Sequence, residues 1–437
     1  MMKKNILLLL LLMAGICVGQ ALGERSEVVS LRAGELKVGV GKADITPPIE
    51  MLPFHPEHEA YPYVGIHDSL YARAIVMDNG YKRAVFVELD EVAVPDDQTL
   101  CAGVAREADV ALNDVVVCVS HTHSTLHPNS KDKRLRPVID RIRLQTIKAV
   151  RLALNSLQPA TVAFASTKAY VNVNNGEIVK SKGQYYEDGF SDKTLDIIRF
   201  CKTDKTPLAL ILNYGTHAEV MFRSLTRENG YEITGDLPGR VAFLLEHAGE
   251  SSPVVLTTAG AEADQQPLFT SKQRTATNGV VDQGAGGWAV MDVLARRLVD
   301  AVNETTRSMP YGDHHVELTT AFGEAVVPGQ RLVEDHRTSE VNAKDMPPVA
   351  IPIAQIRLND IAINAIGADL ASALGAEIKK ALPYSNAMLV TMMGGSVGYV
   401  LTDEAYRNAV HGVFGSRVKP GYAKDAIINR LKTMSDK

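Results

Sequence analysis

Cysteine is nearly missing from this chain: four residues in 437, at Cys17, Cys101, Cys118 and Cys201. None is spaced as Cys-x-x-Cys, which argues against a cysteine-ligated metal. Three after the N-terminal leader are too few for a disulfide framework, so Cys101, Cys118 and Cys201 read as small core hydrophobes. A dominant charge is also missing. The 46 Lys and Arg against 51 Asp and Glu leave a formal net charge of −5, which gives no basic footprint for nucleic acid. Beyond the N-terminus no apolar run approaches the roughly 20 residues of a membrane-spanning helix. No internal repeat or low-complexity block shows. Asn278 to Gly287 is glycine-rich but lacks the strand and GxGxxG context of a dinucleotide site, and it reads as a lid or connector. What remains, 46% hydrophobic and 22% charged, is ordinary for a globular protein. The length alone allows two to three domains.

Residues 1–23 read as a signal peptide. Lys3 and Lys4 make a positive start, Ile6 to Ala14 is a short apolar stretch, and Ala21-Leu22-Gly23 offers small residues at cleavage spacing. Export to a bacterial periplasm or beyond is the expectation. Lipidation at Cys17 is the lesser alternative, because Ile16 before it is not the small residue that lipidation requires.

Strand and helix patterns alternate from Leu36 onward. Leu70 to Met77 and Arg83 to Leu89 read as a strand pair around Asp78-Asn79-Gly80, a hairpin signal. Helical spacing covers Asp97 to Ala108 and Arg136 to Leu157. Further strands are expected at Val115–Val119, Thr161–Ala165, Leu195–Phe200, Leu208–Tyr214, Val254–Thr258, His315–Ala321, Ala354–Leu358, Ile361–Ala365 and Ala387–Met393. Helices are expected from about Pro238 to His247, with Asp236 near the N-cap, and over Trp288–Thr305, Leu370–Leu382 and Tyr422–Met434. Ile49 to Gly65 and Asn172 to Asp192 read as loops. The fold class is therefore α/β. Residues 24–437 form a single large domain with a mixed β-sheet flanked by helices, hairpins at the sheet edges and the active site at strand C-terminal ends.

The stretch VVVCVSHTHSTLHP (Val115–Pro128) draws the most attention. A β-branched strand runs directly into His121-Thr122-His123, and side chains at i and i+2 of an extended segment share a face. Two imidazoles there suit a metal ion, or one metal ligand beside one proton-transfer group. The plain alternative is a pair of histidines that cap backbone groups. Other strands also end in polar residues: Asp90, His217, Asp264, Asp369 and Tyr399. Asp236 and Asp264 each have an ordinary reading as helix or turn caps.

Four blocks, taken together, resemble the neutral (non-lysosomal, alkaline) ceramidase family. They are VGVGKADITPP (Val38–Pro48) with GIHDSLYARAIVMDNG (Gly65–Gly80), SHTHS (Ser120–Ser124), NYGTHAEVM with ITGDLPG (Asn213–Met221 and Ile233–Gly239), and GYVLTDEAY (Gly398–Tyr406). The resemblance implies one catalytic zinc held by His121, His217 and Tyr399. Asp369 matches the family's glutamate ligand as a shorter carboxylate. His123 is then unliganded, stabilises the oxyanion and passes a proton to the leaving amine. Asp236 and Asp264 orient the histidines or their loops. The family's Arg in an Asn-Arg-Ser stretch falls on Asn174-Asn175-Gly176, so Asn175 stands in its place and that substrate clamp is expected to be absent. Its proposed serine nucleophile falls on Gln266. The chain is also expected to lack the family's C-terminal immunoglobulin-like domain.

The implied activity is that of an exported zinc amidohydrolase. It would cleave the N-acyl bond of a sphingolipid or another N-acylated molecule by metal-activated water, and peripheral membrane contact is compatible with such a substrate. Two alternatives stay open: a zinc esterase or deacetylase acting on a glycan or other acylated substrate, and a non-catalytic exported binding protein that retains the fold.

Overall fold

Most strands of this protein are apolar on both faces, and each face goes to a different place. In the computed structural model, which describes residues 32–57, 59–128, 131–175, 189–249, 251–274, 279–334, 341–408 and 410–435, the first four are β1 (Lys37–Asp44), β2 (Tyr71–Asp78), β3 (Arg83–Leu89) and β4 (Val115–Val119). Alternation has period two in a strand. Ala74 and Val76 of β2, Val85 and Val87 of β3, and Val115 and Val117 of β4 pack with helices α1 (Asp97–Ala108) and α2 (Arg136–Asn155). Ile75, Met77, Phe86, Val116 and Cys118 face the other way, into a central core. Gly39 and Gly41 let α2 lie on β1. A Cβ at either would fall 1.9 or 2.0 Å from the carbonyl oxygen of Ala153 or Ala149, so the VGVG run is dictated by close backbone approach.

The same plan recurs twice. β5 (Gln158–Lys168), β6 (Thr194–Lys202), β7 (Pro207–Tyr214) and β8 (Val254–Ala259) back onto α3 (Asp236–Glu246) and α4 (Gly287–Ser308). β9 (His315–Glu334), β10 (Val341–Leu358), β11 (Ile361–Ile366) and β12 (Asn386–Val390) back onto α5 (Ser372–Ala381) and α6 (Ala423–Ser435). In each set the first three strands are antiparallel neighbours. The third and fourth pair in parallel through a crossover helix, as parallel strands require. The first two sets join through Lys37 and Val38 of β1 into one eight-stranded sheet, β8-β7-β6-β5-β1-β2-β3-β4. The third set, with Ala33–Glu35 added at its edge, makes a five-stranded sheet. All three contribute inward side chains to one core, among them Phe86, Phe200, Ile211, Ile356 and Ile363.

The architecture is α/β with mixed sheets, and it refines the sequence reading in four places. The parallel β3–β4, β7–β8 and β11–β12 pairs, not hairpins, lie at sheet edges. The topology repeats three times although no sequence repeat shows, because packing needs only a matching pattern of apolar positions. The β9–β10 hairpin is far longer than expected: its outer half alternates buried Ala325 and Val327 with exposed Val326, a half-solvated pattern rather than a solid apolar run. The expected loops hold short strands at Tyr63–Ile66 and Asn172–Asn174, paired with Tyr231–Ile233 and Gln265–Pro267. The proposed signal peptide, with Cys17, lies outside the described residues, as do Gly176 and Asn278. Among the described residues no helix is long and apolar enough to cross a membrane.

The exits of the three edges meet. Thr391 N–H donates to Ala259 O and Gly394 N–H to Val117 O. This junction places the carboxyl ends of the parallel strands around one spot.

Candidate metal centre

Past β4 the chain turns sharply. His121 sits in the left-handed region (φ 60°), a conformation that costs a non-glycine residue on the order of 1 kcal/mol and concentrates at functional sites. Thr122 then forms a parallel bridge with Ala218, just beyond β7, and His123 N–H donates to Ala218 O at 3.2 Å. The bridge sets the flanking residues side by side. His121 lies beside His217, with ring centroids 5.2 Å apart, and His123 beside Glu219, with Nδ1 3.2 Å from Oε1.

Tautomers follow from the partners. His121 Nδ1 lies 2.6 Å from Val92 O, and His217 Nδ1 2.9 Å from Gln265 O. A carbonyl only accepts, so each Nδ1 carries the proton and each Nε2 of the neutral ring presents a lone pair. His121 Nε2 and His123 Nε2 are 3.2 Å apart, and a nitrogen of His121, His123 and His217 each falls within 4.8 Å of the others. Asp369 enters from beyond β11. Its Oδ2 is 3.4 Å from His217 Nε2 and 4.0 Å from His121 Nε2, while Oδ1 is buried with no hydrogen-bond partner. Lone pairs and an orphaned carboxylate oxygen converging on one point fit a cation. Two nitrogens on one tetrahedral zinc stand about 3.3 Å apart for Zn–N near 2.0–2.1 Å. The nitrogens of His121, His123 and His217, with the Asp369 carboxylate beside them, are therefore close enough together to hold a metal ion.

Electrostatics mark the same spot. Burial lowers His121 to about 4. Burial and the neighbouring His121, His217 and His127 hold His123 well below the usual imidazole range. Burial also opposes charge on His217, but the Asp369 carboxylate overrides it and raises that residue well above its ordinary value. Tyr399 pairs with Asp369 through the backbone, and burial raises its phenol, with His217, Asp369, Glu219 and Glu262 in electrostatic reach.

Of the expected supporting residues, Asp236 is not the cap of α3. It is the helix's first residue (φ 51°), and its buried carboxylate accepts from the amides of Val220 (3.0 Å), Met221 (2.8 Å) and Leu237 (2.7 Å). It thus grips the loop that carries His217. Asp264 accepts from Ser372 N–H at 2.8 Å and so ties down the segment after Asp369. Asn175 joins this group through its backbone, donating to Asp264 O at 2.8 Å. Gln266 pairs with Val173 in a two-stranded sheet.

Two residues escaped the sequence reading. Glu219 repeats the i, i+2 spacing from His217 that flagged His121 and His123, a signal that was there to use. Glu262, just beyond β8, is fully buried, and neither carboxylate oxygen makes a hydrogen bond. Burial holds its carboxyl well above the usual range. Nothing in its sequence neighbourhood announces it.

Fold and site together define an α/β protein with a histidine–carboxylate metal-type centre at its strand ends. The family model described as neutral/alkaline non-lysosomal ceramidase, N-terminal, matches residues 36–261, just over half of the chain. This chain belongs to that family. It is 26% identical to a neutral ceramidase of Drosophila melanogaster over 319 residues, a match spanning 63% of this chain but only 45% of the relative. A solved structure described as ceramidase complexed with C2 superposes with a TM-score of 0.71 at 15% identity, covering 92% of this chain and 74% of the other. The neutral ceramidase of Pseudomonas aeruginosa gives a TM-score of 0.68 at 16% identity over the same shares. These two likenesses establish the fold.

Proposed function

We propose that this protein is an exported hydrolase that cleaves an N-acyl amide bond, with zinc as its metal. The observation that carries the reading is the convergence of the His121, His123 and His217 nitrogens beside the unpartnered Asp369 oxygen. His121, His217 and Asp369 would hold the ion, and Tyr399 stands next to Asp369 to complete the set. When bound, such an ion lowers the pKa of a water toward neutrality and polarises a carbonyl. His123, next to that position and not needed as a ligand, hydrogen-bonds the developing oxyanion and delivers a proton to the leaving nitrogen. Val92 O and Gln265 O keep the ligand rings in the required tautomer. The Asp236 and Asp264 carboxylates hold the loops on which His217 and Asp369 stand.

Family membership favours a sphingolipid N-acyl substrate. Asn175 at the position of the family arginine favours a different head group, such as an amino sugar. The same centre would serve an ester. The test is metal content of the purified protein, coupled to hydrolysis of a panel of N-acyl and O-acyl substrates that includes ceramide. About one zinc per chain and turnover of an N-acyl substrate are expected. A protein that stays metal-free after zinc-supplied expression and turns over nothing overturns the reading in favour of a binding protein. Export is tested by N-terminal sequencing of the protein from the periplasmic fraction, where the chain should begin after Gly23.

A further inference from the structure

We propose that the outer half of the β9–β10 hairpin, with residues 414–417, forms a second binding site, for an amphipathic anion: a phosphate or carboxylate head on a single aliphatic chain. The inference stands apart from the hydrolase reading, and none of the residues of the metal centre lines the site.

Three observations carry it. The first is a cavity of about 700 Å³, within the size range of small-molecule sites. Its wall is apolar at Met346, Pro348, Val397 and Phe414 and cationic at Arg331 and Arg417. Gln330 N–H donates to Arg417 O at 2.9 Å, which brings the two arginines to neighbouring backbone positions. The second is an open repulsion. Arg331 stands directly opposite Lys344 in the ladder, so the two side chains share a face, and like charges placed this way destabilise a sheet. Met346, two residues beyond Lys344, lies on that face as well. The third is charge without a match. Among the described residues, Arg331, Lys344 and Arg417 meet no carboxylate. Arg417 Nε donates to Val397 O at 3.2 Å, which holds the guanidinium at the wall. The nearby Asp345, on the other face of its strand, is engaged by Lys419 at 3.1 Å.

A guanidinium presents a planar fork of donors that takes a carboxylate or a phosphate through two bonds. An anionic head held by Arg331 and Arg417 satisfies both forks and offsets the repulsion from Lys344. The head by itself leaves the apolar wall in water, whereas a chain laid along Phe414, Met346 and Pro348 buries it. The site is also braced from behind, because Ser416 Oγ donates to Tyr399 O at 2.7 Å. It is therefore formed before the ligand arrives, which lowers the cost of binding.

Isothermal titration of the full chain tests it, with decyl phosphate and decanoate as probes below their micelle concentrations. At least one should bind. Decyl phosphate alone assigns a phosphate head, decanoate alone a carboxylate head, and both a site that takes either. Decanol has the chain without the charge and inorganic phosphate the charge without the chain, so each should bind at least roughly tenfold more weakly. Arg331→Gln and Arg417→Gln should each weaken the charged probe roughly tenfold, with the circular dichroism unchanged. Lys344→Glu guards against a variant that fails to fold. It replaces the repulsion by an ion pair, so it should raise the melting temperature of the ligand-free protein while weakening the probe. No binding by either probe, equal binding of decanol or inorganic phosphate, or full affinity in any of the three variants overturns the proposal. So does a lower melting temperature in Lys344→Glu, which would mean that Lys344 already has an anionic partner.

Discussion

Two clusters of charge are buried in this molecule, and they are built in opposite ways. Around Arg73 of β2 the charges are matched. Its guanidinium bonds Asp90 at 2.8 Å, Glu88 at 3.2 Å and Glu246 of α3 at 3.4 Å, and Lys42 also pairs with Glu246. Burial and the nearby Asp90 push Glu88 well above the usual carboxylate range, and Glu88 Oε1 and Asp90 Oδ1 are buried without a partner although the other oxygen of each bonds the guanidinium. At the strand exits the accounts are open. Asp369 Oδ1 and both oxygens of Glu262 are buried without partners, and three imidazoles crowd one point. A cluster whose carboxylates each meet a cation holds α3 against the first set of strands. An unmatched one, at the same kind of strand end, is a place for a ligand.

The sharpest way to break this contrast is to remove a donor from the open cluster. His121→Ala and His217→Ala should each lose the metal and lower activity on the order of 10³-fold. Circular dichroism should show the fold intact. Full zinc occupancy in both variants would sink the ligand assignment. In the matched cluster the cost should fall on stability instead. Arg73→Met strands Glu88, Asp90 and Glu246 in the interior and should destabilise the protein by about 3–5 kcal/mol, read by urea unfolding. An unchanged midpoint would show that the network contributes nothing.

Glu91 follows Asp90 in the chain, and burial raises its carboxyl from 4.5 to about 8. The folded chain holds a proton there that the unfolded chain releases. Its contribution is full below about pH 4.5 and is lost as pH rises to about 8. Wild-type stability should therefore fall by a few kcal/mol relative to Glu91→Gln across that interval, and a constant difference between the two proteins would refute the sign. The smallest effect is expected at Glu262. Glu262→Gln should raise the thermal stability of the metal-free protein by about 1 kcal/mol, because it removes an uncompensated acid. A lower melting temperature would mean that Glu262 has a partner in the apo state.

Much of this was legible in the chain. β4, α1 and the Asp78-Asn79-Gly80 turn fall where the apolar period and turn residues place them, because those signals are local. His121, His123, His217, Asp369 and Tyr399 were each recognisable as polar residues at or near strand ends. The proton positions on His121 and His217 were not, because backbone carbonyls of Val92 and Gln265 set them and a carbonyl leaves no mark on residue identity. Asp236 shows the limit from the other side. Its place before an apolar helical run looks like a cap, yet its carboxylate serves a loop fifteen or so residues away in sequence. The threefold topology stayed hidden because a strand set is specified by alternation, and many unrelated sequences alternate alike.

What the sequence determined by itself was therefore the elements and the chemistry: a run of β-branched residues must extend, and histidines and carboxylates at its end must stay polar. Which of them meet was decided only by the tertiary structure. Residues 121, 217 and 369 come together because three parallel strand pairs close edge against edge. That closure depends on burying the inner faces of all three sets in one core, a sum of contacts between distant segments that no local pattern encodes.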